Sequence, residues 1–380
     1  MAALRELVVC SLEPWDEVWR RNQFFVDALL RGSGALHVLF VEPPADVLLE
    51  LAQRRRPTMS RMFSLRADRR LHALRPLKPL PRRFGPLADR ALQRQVIGVA
   101  HRLGFTCPTL WLNDVTYAPL IRSTGWPTVY DVTDDWLLAP FPRREIDRLR
   151  ALDAIALAEA HEVVVCSPAL AASRGAGRHV TLVPNGVDSE HFRTPRPRPD
   201  DLPPAPTAVY VGTLHDARLD VDLVIELARS LTGLSLVLVG PDALQAATRR
   251  RLSAAPNIHL LGSRPYTDVP AYLQHANVVL VPHRVTPFTD SLDPIKAYEC
   301  LALATPTVAT PVAGFRELAG CISVVGRESF VGAVQAALAS APKRPDATHP
   351  VASWDARASA FELVLTRAGE HAARLSEAAA

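Results

Sequence analysis

The sequence predicts an α/β protein built from two Rossmann-like, doubly wound domains that face a cleft. A chain of 380 residues is too long for one ordinary core and suits two domains. Short apolar runs alternate with longer helical patterns, which is typical of parallel sheets covered by helices on both faces. The segment Arg193–Pro206 holds six prolines in fourteen residues, which favours a linker over a helix or a sheet interior.

The proline-rich segment divides the predicted strands into two similar series. We place an N-terminal domain at residues 1–192, a linker at 193–207, a C-terminal domain at 208–350 and a final segment at 351–380. The first series comprises Leu7–Leu12, Ala35–Val41, Thr109–Leu112, Thr128–Val132, Glu162–Cys166 and Thr181–Val183. The second comprises Ala208–Val211, Ser235–Val239, Ile258–Leu261, Val278–Val281, Thr307–Ala309 and Ile322–Val325.

The composition favours a cytoplasmic protein. About half of the residues are hydrophobic (48%) and 22% are charged, which suits a soluble globular chain. No apolar run approaches the roughly 20 residues that cross a bilayer, and the N-terminus does not resemble a secretion signal. The five cysteines are scattered and odd in number, which indicates neither a disulfide framework nor a zinc site.

The stretch Arg54–Arg102 carries fourteen Arg or Lys residues against two acids, Asp68 and Asp89. One interpretation is an electropositive face for an anionic membrane, a phospholipid-linked acceptor or a charged polysaccharide. The other is a solvated face of an arginine-rich chain. Nucleic acid is not the expected partner, because the stretch lacks interleaved aromatic residues for base stacking.

The common nucleotide-binding and hydrolase signatures are missing. No Gly-x-Gly-x-x-Gly follows a predicted strand, and no Gly-x-x-x-x-Gly-Lys-Ser/Thr loop or Gly-x-Ser-x-Gly elbow is present. These absences disfavour a nicotinamide dehydrogenase, a P-loop ATPase and an α/β-hydrolase.

The segment around residues 277–299 has the strongest chemical pattern. A buried strand runs into a polar loop and then into a helix, for which Asp293 is the predicted N-cap and Pro294 the first residue. Lys296 then falls in the first turn, with Glu299 three residues later on the same face.

A helix start at the carboxyl edge of a parallel sheet binds anions through backbone N–H groups and the helix dipole. Lys296 adds a full charge for a diphosphate, and Glu299 can accept hydrogen bonds from the two hydroxyls of a ribose. The alternative is an exposed Lys–Glu pair worth about 0.3–0.5 kcal/mol. Only three of the 43 cationic residues are lysines, which favours a functional role for this one.

Four passages in sequence order resemble one family, the GT-B glycosyltransferases of the glycogen-synthase-like superfamily (family 4, group 1). The first is Val183-Pro-Asn-Gly-Val-Asp188 with His191 and Phe192, and the second is Val211-Gly-Thr-Leu-His-Asp-Ala-Arg218. The third is Asn257-Ile-His-Leu-Leu-Gly-Ser-Arg-Pro-Tyr266, and the fourth is Asp293-Pro-Ile-Lys-Ala-Tyr-Glu299. The resemblance is closest to the bacterial branch that includes teichuronic-acid-type transferases.

The resemblance implies a GT-B fold, an N-terminal acceptor domain and a C-terminal domain that binds a nucleotide-sugar donor. Arg218, Lys296 and Asp293 are the implied catalytic residues, the first two through the charge of the departing nucleoside diphosphate. The other implied donor residues are Gly212, Thr213, Gly262, Arg264, Ser291, Pro294, Ile295 and Glu299.

Three implied features stay open at this point. Ser291 stands where the family often has a first Glu that contacts the donor sugar, and Asp293 is either the substitute carboxylate or only a helix cap. Tyr266 either stacks on the nucleotide base or packs in the protein. The resemblance also implies a final helix, around Phe361–Leu375, that crosses back to the first domain. We expect the cleft to close over the donor about a pivot near Pro184–Gly186 and the proline-rich linker.

The acceptor side is predicted from residues that follow N-terminal strands. Trp15 and Trp19 lie four apart and form either a sugar platform or core packing. Asp131, Asp134 and Asp135 either bind acceptor hydroxyls, with one as a base, or cap helices.

We expect a metal-independent transferase that moves a sugar from a UDP, dTDP or GDP donor to a hydroxyl, with retention of configuration. Asp220-Val-Asp222 has the Asp-x-Asp pattern of metal-dependent transferases, but helix capping is the favoured interpretation. The alternatives are a nucleotide-sugar epimerase of the same fold and a non-catalytic scaffold that binds a nucleotide or a glycan.

Overall fold

The computed structural model describes residues 5–46, 61–66, 68–78, 86–303, 305–339 and 351–379. Two main sheets lie in successive halves of the chain. The strands of the N-terminal half are β1 (Glu6–Cys10), β2 (His37–Val41), β3 (Ala45–Asp46), β4 (Arg61–Ser64), β5 (Leu71–Arg75), β6 (Leu77–Lys78), β7 (Thr109–Leu112), β8 (Thr128–Val132), β9 (Glu162–Val165) and β10 (Thr181–Leu182).

The N-terminal sheet has the strand order β10-β9-β8-β7-β1-β2-β5-β4, and β3 pairs with β6 separately. Its neighbours run parallel except at the edge, where β4 is antiparallel to β5. β1 lies between β2 and β7, so the strand order reverses beside β1. Loops that leave β1 and β7 therefore diverge and open a crevice at the carboxyl edge of this sheet.

The C-terminal sheet has the strand order β13-β12-β11-β14-β15-β16, with parallel neighbours throughout the described strands. This is the Rossmann order, and its reversal lies between β11 and β14. The predicted fold class is confirmed. The strands are β11 (Thr207–Val211), β12 (Ser235–Val239), β13 (Ile258–Gly262), β14 (Val278–Val281), β15 (Thr307–Ala309) and β16 (Ser323–Val324).

The helices cover both faces of both sheets. They are α1 (Arg21–Gly32), α2 (Pro86–Arg102), α3 (Leu120–Thr124), α4 (Arg143–Glu159), α5 (Pro168–Arg174), α6 (Ser189–Arg193), α7 (Val221–Ser230), α8 (Ala246–Ser253), α9 (Val269–Gln274), α10 (Ile295–Ala302), α11 (Phe330–Ala339) and α12 (Trp354–Ala379). Each sheet consequently has a buried apolar cluster on either face.

The last helix, α12, packs on the N-terminal sheet beside α1. Phe361, Val364, Leu365 and Ala368 have no exposed surface and belong to the same cluster as the strand residues Val9 and Trp111. The residues repeat at helical spacing, which places them on one face of α12.

The structure contains strands that the sequence analysis did not predict. β3, β4, β5 and β6 lie in or beside the stretch that was interpreted only by its charge, and β5 adds a buried strand next to β2. The predicted strand Leu7–Leu12 is one residue longer at its start and ends earlier, at Cys10, in the structure. In the part of the chain that the structure describes, no helix is both long and apolar enough to span a membrane.

Candidate active site

The loops at the carboxyl edge of β11 and β14 bring two of the predicted site residues, Gly212 and Lys296, together. Gly212 directly follows β11, and His283 follows β14 by two residues. These two strands flank the reversal of the sheet, where open α/β sheets bind their ligands. Lys296 reaches the same point from the first turn of α10.

Gly212 leaves room for the lysine. A Cβ added at Gly212 would lie 2.5 Å from Lys296 Cε and 2.6 Å from Nζ, so the ammonium group rests against the backbone of residue 212. Gly212 has φ of 151°, which favours glycine on its own. The neighbouring Gly240 has φ of 144°, and a Cβ added there would lie 2.1 Å from the Gly212 carbonyl oxygen. Glycine at residue 240 therefore allows the two backbones to lie close together.

Lys296 is half-buried, and burial lowers the pKa of its ammonium group. The charges of Arg218 and Arg20 lower this pKa further, whereas Glu299 raises it. The Nζ atom lies 5.8 Å from the centre of the Tyr210 ring. No carboxylate in the described part of the chain forms an ion pair with Lys296, which leaves its charge available to an anion.

Glu299 lies one turn further along α10 and is also half-buried. Burial raises the pKa of its carboxyl group, and the charge of Lys296 opposes that rise. Its carboxylate accepts no hydrogen bond from any residue that the structure describes. The predicted placement of Lys296 and Glu299 on one helix face is therefore confirmed, while their ligands stay predictions.

Arg218 crosses the cleft between the domains. Its Nη2 donates to Asp134 Oδ1 at 2.9 Å, and its guanidinium lies 5.4 Å from the centre of the Phe288 ring. Asp216 and Asp220 lie near Arg218 in sequence, but they bond to the Gln245 N–H and to Arg327. Arg218 belongs to the C-terminal domain and Asp134 to the loop after β8, so this contact joins the two halves of the chain.

His283 is a site residue that sequence reasoning missed. It is buried, and Tyr210 Oη lies 3.2 Å from its Nε2. Burial, aided by the charges of Lys296 and Arg218, lowers the pKa of His283 to about 3, so the imidazole is neutral at neutral pH. In the sequence, the feature that could have identified His283 is its position two residues after a predicted buried strand.

Glu13 is a second residue that was not predicted as part of the site. It follows β1 at the reversal of the N-terminal sheet, and its Oε1 lies 3.4 Å from Arg20 Nε. Burial is the main cause that raises the pKa of Glu13 to about 7, with Asp134 adding to the rise and Arg20 and Arg218 opposing it. Glu13 therefore lies within electrostatic reach of the Arg218–Asp134 pair.

Two of the three predicted acceptor aspartates are buried and bond to other side chains of the protein. Asp131 is fully buried, where its two oxygens accept from Arg21 and one also accepts from Trp111 Nε1. Asp135 caps the short 3₁₀ turn Trp136–Leu138 and pairs with Arg174. This placement argues against acceptor roles for both, so Asp134 is the remaining candidate.

The aromatic residues pack against protein side chains. Trp15 contacts Phe40 edge-on at 5.1 Å, which favours the packing interpretation over a sugar platform. Tyr266 stacks between Trp19, at 6.1 Å, and His191, at 4.4 Å between ring centres. The Tyr266 ring therefore contributes to the contact between the domains.

The predicted helix cap at Asp293 is wrong. α10 begins at Ile295 with Pro294 at the cap position, and no side chain caps it. Asp293 Oδ2 instead accepts from the backbone N–H of Asn185 (2.5 Å), and Oδ1 accepts from Tyr298 Oη (2.6 Å). Burial raises the pKa of Asp293, and these donors oppose the rise.

Asn185 lies at the centre of a buried network. Its amide group donates to the Asp293 carbonyl (2.6 Å) and accepts from Arg21 Nη1 (3.2 Å), and its own carbonyl accepts from Arg357 (3.2 Å). The network joins the interdomain turn, Pro184–Gly186, to both domains and to α12. Asp293 thus connects α10 to the rest of the protein.

Ser291 is also an interdomain contact. It is buried, with its carbonyl accepting from Ser167 Oγ (2.6 Å) and its hydroxyl near the backbone N–H of Asp135 (3.3 Å). A serine in this contact does not replace the sugar-binding carboxylate of the family pattern. Ile295 packs against the N-terminal apolar cluster.

The remaining predicted donor residues lie along the loops. Thr213 continues the loop after Gly212, and its carbonyl lies 3.5 Å from Tyr210 Oη. Gly262 ends β13 with φ of 77°, and its carbonyl accepts from the Gly240 N–H. Arg264 pairs with Asp201 and donates to Tyr272 Oη (2.8 Å), so its guanidinium is engaged by the linker and α9.

The Asp220-Val-Asp222 pattern begins α7. Asp220 accepts from the Leu223 N–H at 3.1 Å, which confirms helix capping, and Asp222 pairs with Arg251.

Comparisons with known proteins identify a matching family, a relative and similar folds. Residues 205–341 match the family described as glycosyl transferases group 1. A relative in Bacillus subtilis, provisionally named the teichuronic acid biosynthesis glycosyltransferase TuaH, is 25% identical over 248 residues. The match spans 60% of this chain and 60% of that relative's length.

The same fold occurs in solved glycosyltransferases over nearly the whole chain. Sucrose-phosphate synthase from Thermosynechococcus elongatus superposes with a TM-score of 0.69 at 17% identity, covering 98% of both chains. HepE of Anabaena, solved with UDP and glucose, superposes with a TM-score of 0.60 at 17% identity, covering 98% of this chain and 99% of HepE. Residues 205–341 form a glycosyl transferases group 1 domain, and the chain has the GT-B fold. The resemblance stated from sequence is confirmed, and the group 1 domain includes Gly212, Arg218, Lys296 and Glu299.

Proposed function

We propose that this protein is an enzyme that transfers a sugar from a nucleoside diphosphate sugar to a hydroxyl acceptor. The observation that carries the proposal is the position of Lys296, whose ammonium group lies against the backbone of Gly212 and has no carboxylate partner among the described residues. A half-buried, unpaired cation at the binding edge of a Rossmann domain suits a diphosphate. Glu299 supplies an acceptor for ribose hydroxyls on the same helix face.

In this proposal Lys296 and Arg218 stabilise the nucleoside diphosphate as it departs, which is the largest charge that develops in the reaction. Their two positive charges serve in place of a divalent metal, so turnover is expected to persist in EDTA. We further propose that the anomeric configuration of the sugar is retained. The anomeric proton coupling in the NMR spectrum of the first-formed product tests this point.

UDP is the first donor base to test, followed by dTDP and GDP. HepE was solved with UDP, with UDP-glucose, and with UDP and glucose together, and these ligands motivate the order of testing. The name of the Bacillus relative motivates acceptors from cell-wall or polysaccharide synthesis, including lipid-linked glycans.

Peripheral contact with an anionic membrane is part of the proposal. On α2, Leu87, Arg90 and Arg94 are all exposed and share one helix face by their spacing. Met62 and Phe63 on β4 are 44% and 41% exposed. Several cations of the stretch, including Arg54, lie outside the described residues, and Lys78 is paired with Asp46 at 2.8 Å.

Vesicle sedimentation tests the membrane contact. Binding is expected to increase with the fraction of anionic lipid and to fall when Arg90 and Arg94 are both replaced by Ala, because each cation near such a surface contributes about 1 kcal/mol. Equal binding to neutral and anionic vesicles would contradict the proposal.

The donor site is tested with a thermal-shift panel of nucleoside diphosphates and their sugars. A ligand present at 100 times its Kd stabilises the folded state by about 2.7 kcal/mol. Lys296→Ala is expected to abolish the shift and sugar transfer, whereas Arg250→Ala, which removes an exposed cation from α8, serves as the control. If Lys296→Ala leaves transfer unchanged, the proposed site is wrong.

A further inference from the structure

The ion pair between Arg218 and Asp134 closes the cleft at the point where the donor's diphosphate is proposed to bind. Its two atoms lie 2.9 Å apart, and the side chains of Arg218 and Asp134 are 34% and 17% exposed. The Arg218 backbone is fixed by bonds to His215 and Arg284, so its guanidinium is presented from a defined loop. An anion that binds Arg218 Nη2 has to displace this carboxylate.

Asp134 differs from its neighbours in the same loop. Asp131 and Asp135 pair with Arg21 and Arg174, which belong to the same domain and complete buried pairs there. Asp134 reaches across to the other domain, and its further contact, with Thr133 Oγ1, is long at 3.5 Å. Its pairing with Arg218 is therefore the main interaction that holds its side chain.

We propose that Asp134 competes with the diphosphate of the donor for Arg218, so that donor binding breaks this ion pair between the domains. The inference rests on the proposed function, because it takes the diphosphate as the anion that Arg218 receives. In the free protein the carboxylate neutralises the guanidinium, and when the donor binds the carboxylate is released toward the N-terminal side of the cleft.

The charges around the pair support this exchange. Lys296 and Arg20 lie within electrostatic reach of each other, and Arg20 contacts Glu13 at 3.4 Å. Arg20 also pairs with Asp16 at 3.2 Å, so Arg20 and Arg218 each have a partner carboxylate from the N-terminal half of the chain. A diphosphate brings enough negative charge to replace a carboxylate at Arg218, and the released Asp134 then faces the domain in which the acceptor is proposed to bind.

The competition predicts that removal of the carboxylate strengthens diphosphate binding. Partly exposed ion pairs contribute about 0.2–1 kcal/mol, so Asp134→Asn is expected to lower the Kd of a diphosphate about 1.5- to 5-fold. Inorganic pyrophosphate is the probe, because it carries the diphosphate without a base or a sugar. Isothermal titration calorimetry of the full chain measures its Kd in the native protein and in the variant.

Two further variants make the test specific. Asp147→Asn removes an exposed Asp–Arg pair of the same 2.9 Å length on α4 and is expected to leave pyrophosphate binding unchanged. Arg218→Gln is expected to weaken binding and to make it insensitive to a second change at Asp134, since a double-mutant cycle isolates that pair. Thermal unfolding of each variant confirms that it is folded.

Unchanged or weaker pyrophosphate binding by folded Asp134→Asn would overturn the inference, as would an equal gain in Asp147→Asn. Failure of the native protein to bind pyrophosphate would also overturn it. The proposed function is judged separately, by sugar transfer and its loss in Lys296→Ala. A native enzyme that transfers sugar while Asp134→Asn shows no gain would therefore refute only the competition.

Discussion

The approach of Lys296 to the backbone of Gly212 depends on the absence of a side chain at that position. A Cβ there would lie 2.5 Å from Lys296 Cε, and the φ of 151° adds strain for any other residue. Gly212→Ala is therefore expected to displace the ammonium group and to weaken UDP binding at least about tenfold, the value of one charge-assisted hydrogen bond.

Calorimetry with UDP measures the effect of Gly212→Ala. Gly233→Ala is the matched control, because a Cβ at Gly233 meets no atom within 4 Å. Equal UDP affinities in the two variants would show that the close approach has no role in binding.

Glu13 makes the stability of the protein depend on pH. Its folded-state pKa of about 7 lies above the ordinary value of 4.5, so between these values the folded protein keeps a proton that the unfolded chain has released. The free energy of unfolding contributed by this group therefore falls as pH rises from 4.5 to 7. Burial is the main cause that raises this pKa, Arg20 and Arg218 oppose the rise, and Asp134 and Asp16 add to it.

Glu13→Gln removes this titration. We expect the free energy of unfolding of Glu13→Gln, minus that of the native protein, to increase between pH 4.5 and 7.5 in urea titrations. Taking the difference between the two proteins cancels the groups that titrate in both. A constant difference would show that Glu13 has an ordinary pKa.

Residue-level prediction from sequence succeeded where local pattern decides. Lys296 and Glu299 were placed on one helix face because helical spacing alone determines that relation. The partner of Arg218 could not be predicted, because Asp134 lies 84 positions away and meets it only after both domains have folded. His283 and Glu13 were missed for the same reason, since burial and neighbouring charges give them their properties.

At the scale of elements, α10 shows how tertiary contacts override a capping signal. Asp293 followed by Pro294 is a favourable helix start in sequence, yet Asn185 and Tyr298 engage the carboxylate and the helix begins later. The start of α10 is consequently held by the interdomain turn, through the bond from the Asn185 N–H to Asp293. The Asp293 carboxylate thus helps to orient α10 relative to the N-terminal domain, together with the contacts of Ser291 and Ile295.

Asp293→Ala is expected to destabilise the fold by about 2–4 kcal/mol, because it leaves the Asn185 N–H and the Tyr298 hydroxyl without their buried acceptor. Urea unfolding measures the loss. Asp290→Ala, which breaks an exposed pair with Arg316 at 2.8 Å, is the control and should cost less than about 1 kcal/mol. Similar losses in both variants would contradict the role given to Asp293.

The strands β4, β5 and β6 were missed because the sequence contains no clear signal for them. Their short runs are interrupted by arginines and prolines, so no strand pattern stands out. β5 becomes a buried strand because it pairs with β2, and such pairing is a property of the whole sheet.

At the scale of the molecule, the last helix, α12, packs against the N-terminal half of the chain. Trp354 stacks on Phe24 of α1 at 4.3 Å, and Phe361 packs against Phe25 and Trp111 at 5.1 and 4.5 Å between ring centres. α12 therefore completes the apolar cluster on one face of the N-terminal sheet. Arg357 in the same helix bonds to the Asn185 carbonyl, which ties α12 to the interdomain turn.

Phe361→Ala is consequently expected to destabilise the N-terminal domain, although residue 361 lies beyond the C-terminal sheet in sequence. Loss of a fully buried phenylalanine costs about 3–5 kcal/mol. Leu363→Ala removes an apolar side chain that is 56% exposed on the same helix, and its cost should stay within about 0.5 kcal/mol. Urea unfolding followed by tryptophan fluorescence compares the two, because Trp111 and Trp354 lie in the affected cluster. Equal transitions for both variants would mean that α12 does not stabilise the first half of the chain. The expected difference would instead show that α12 is part of the N-terminal domain.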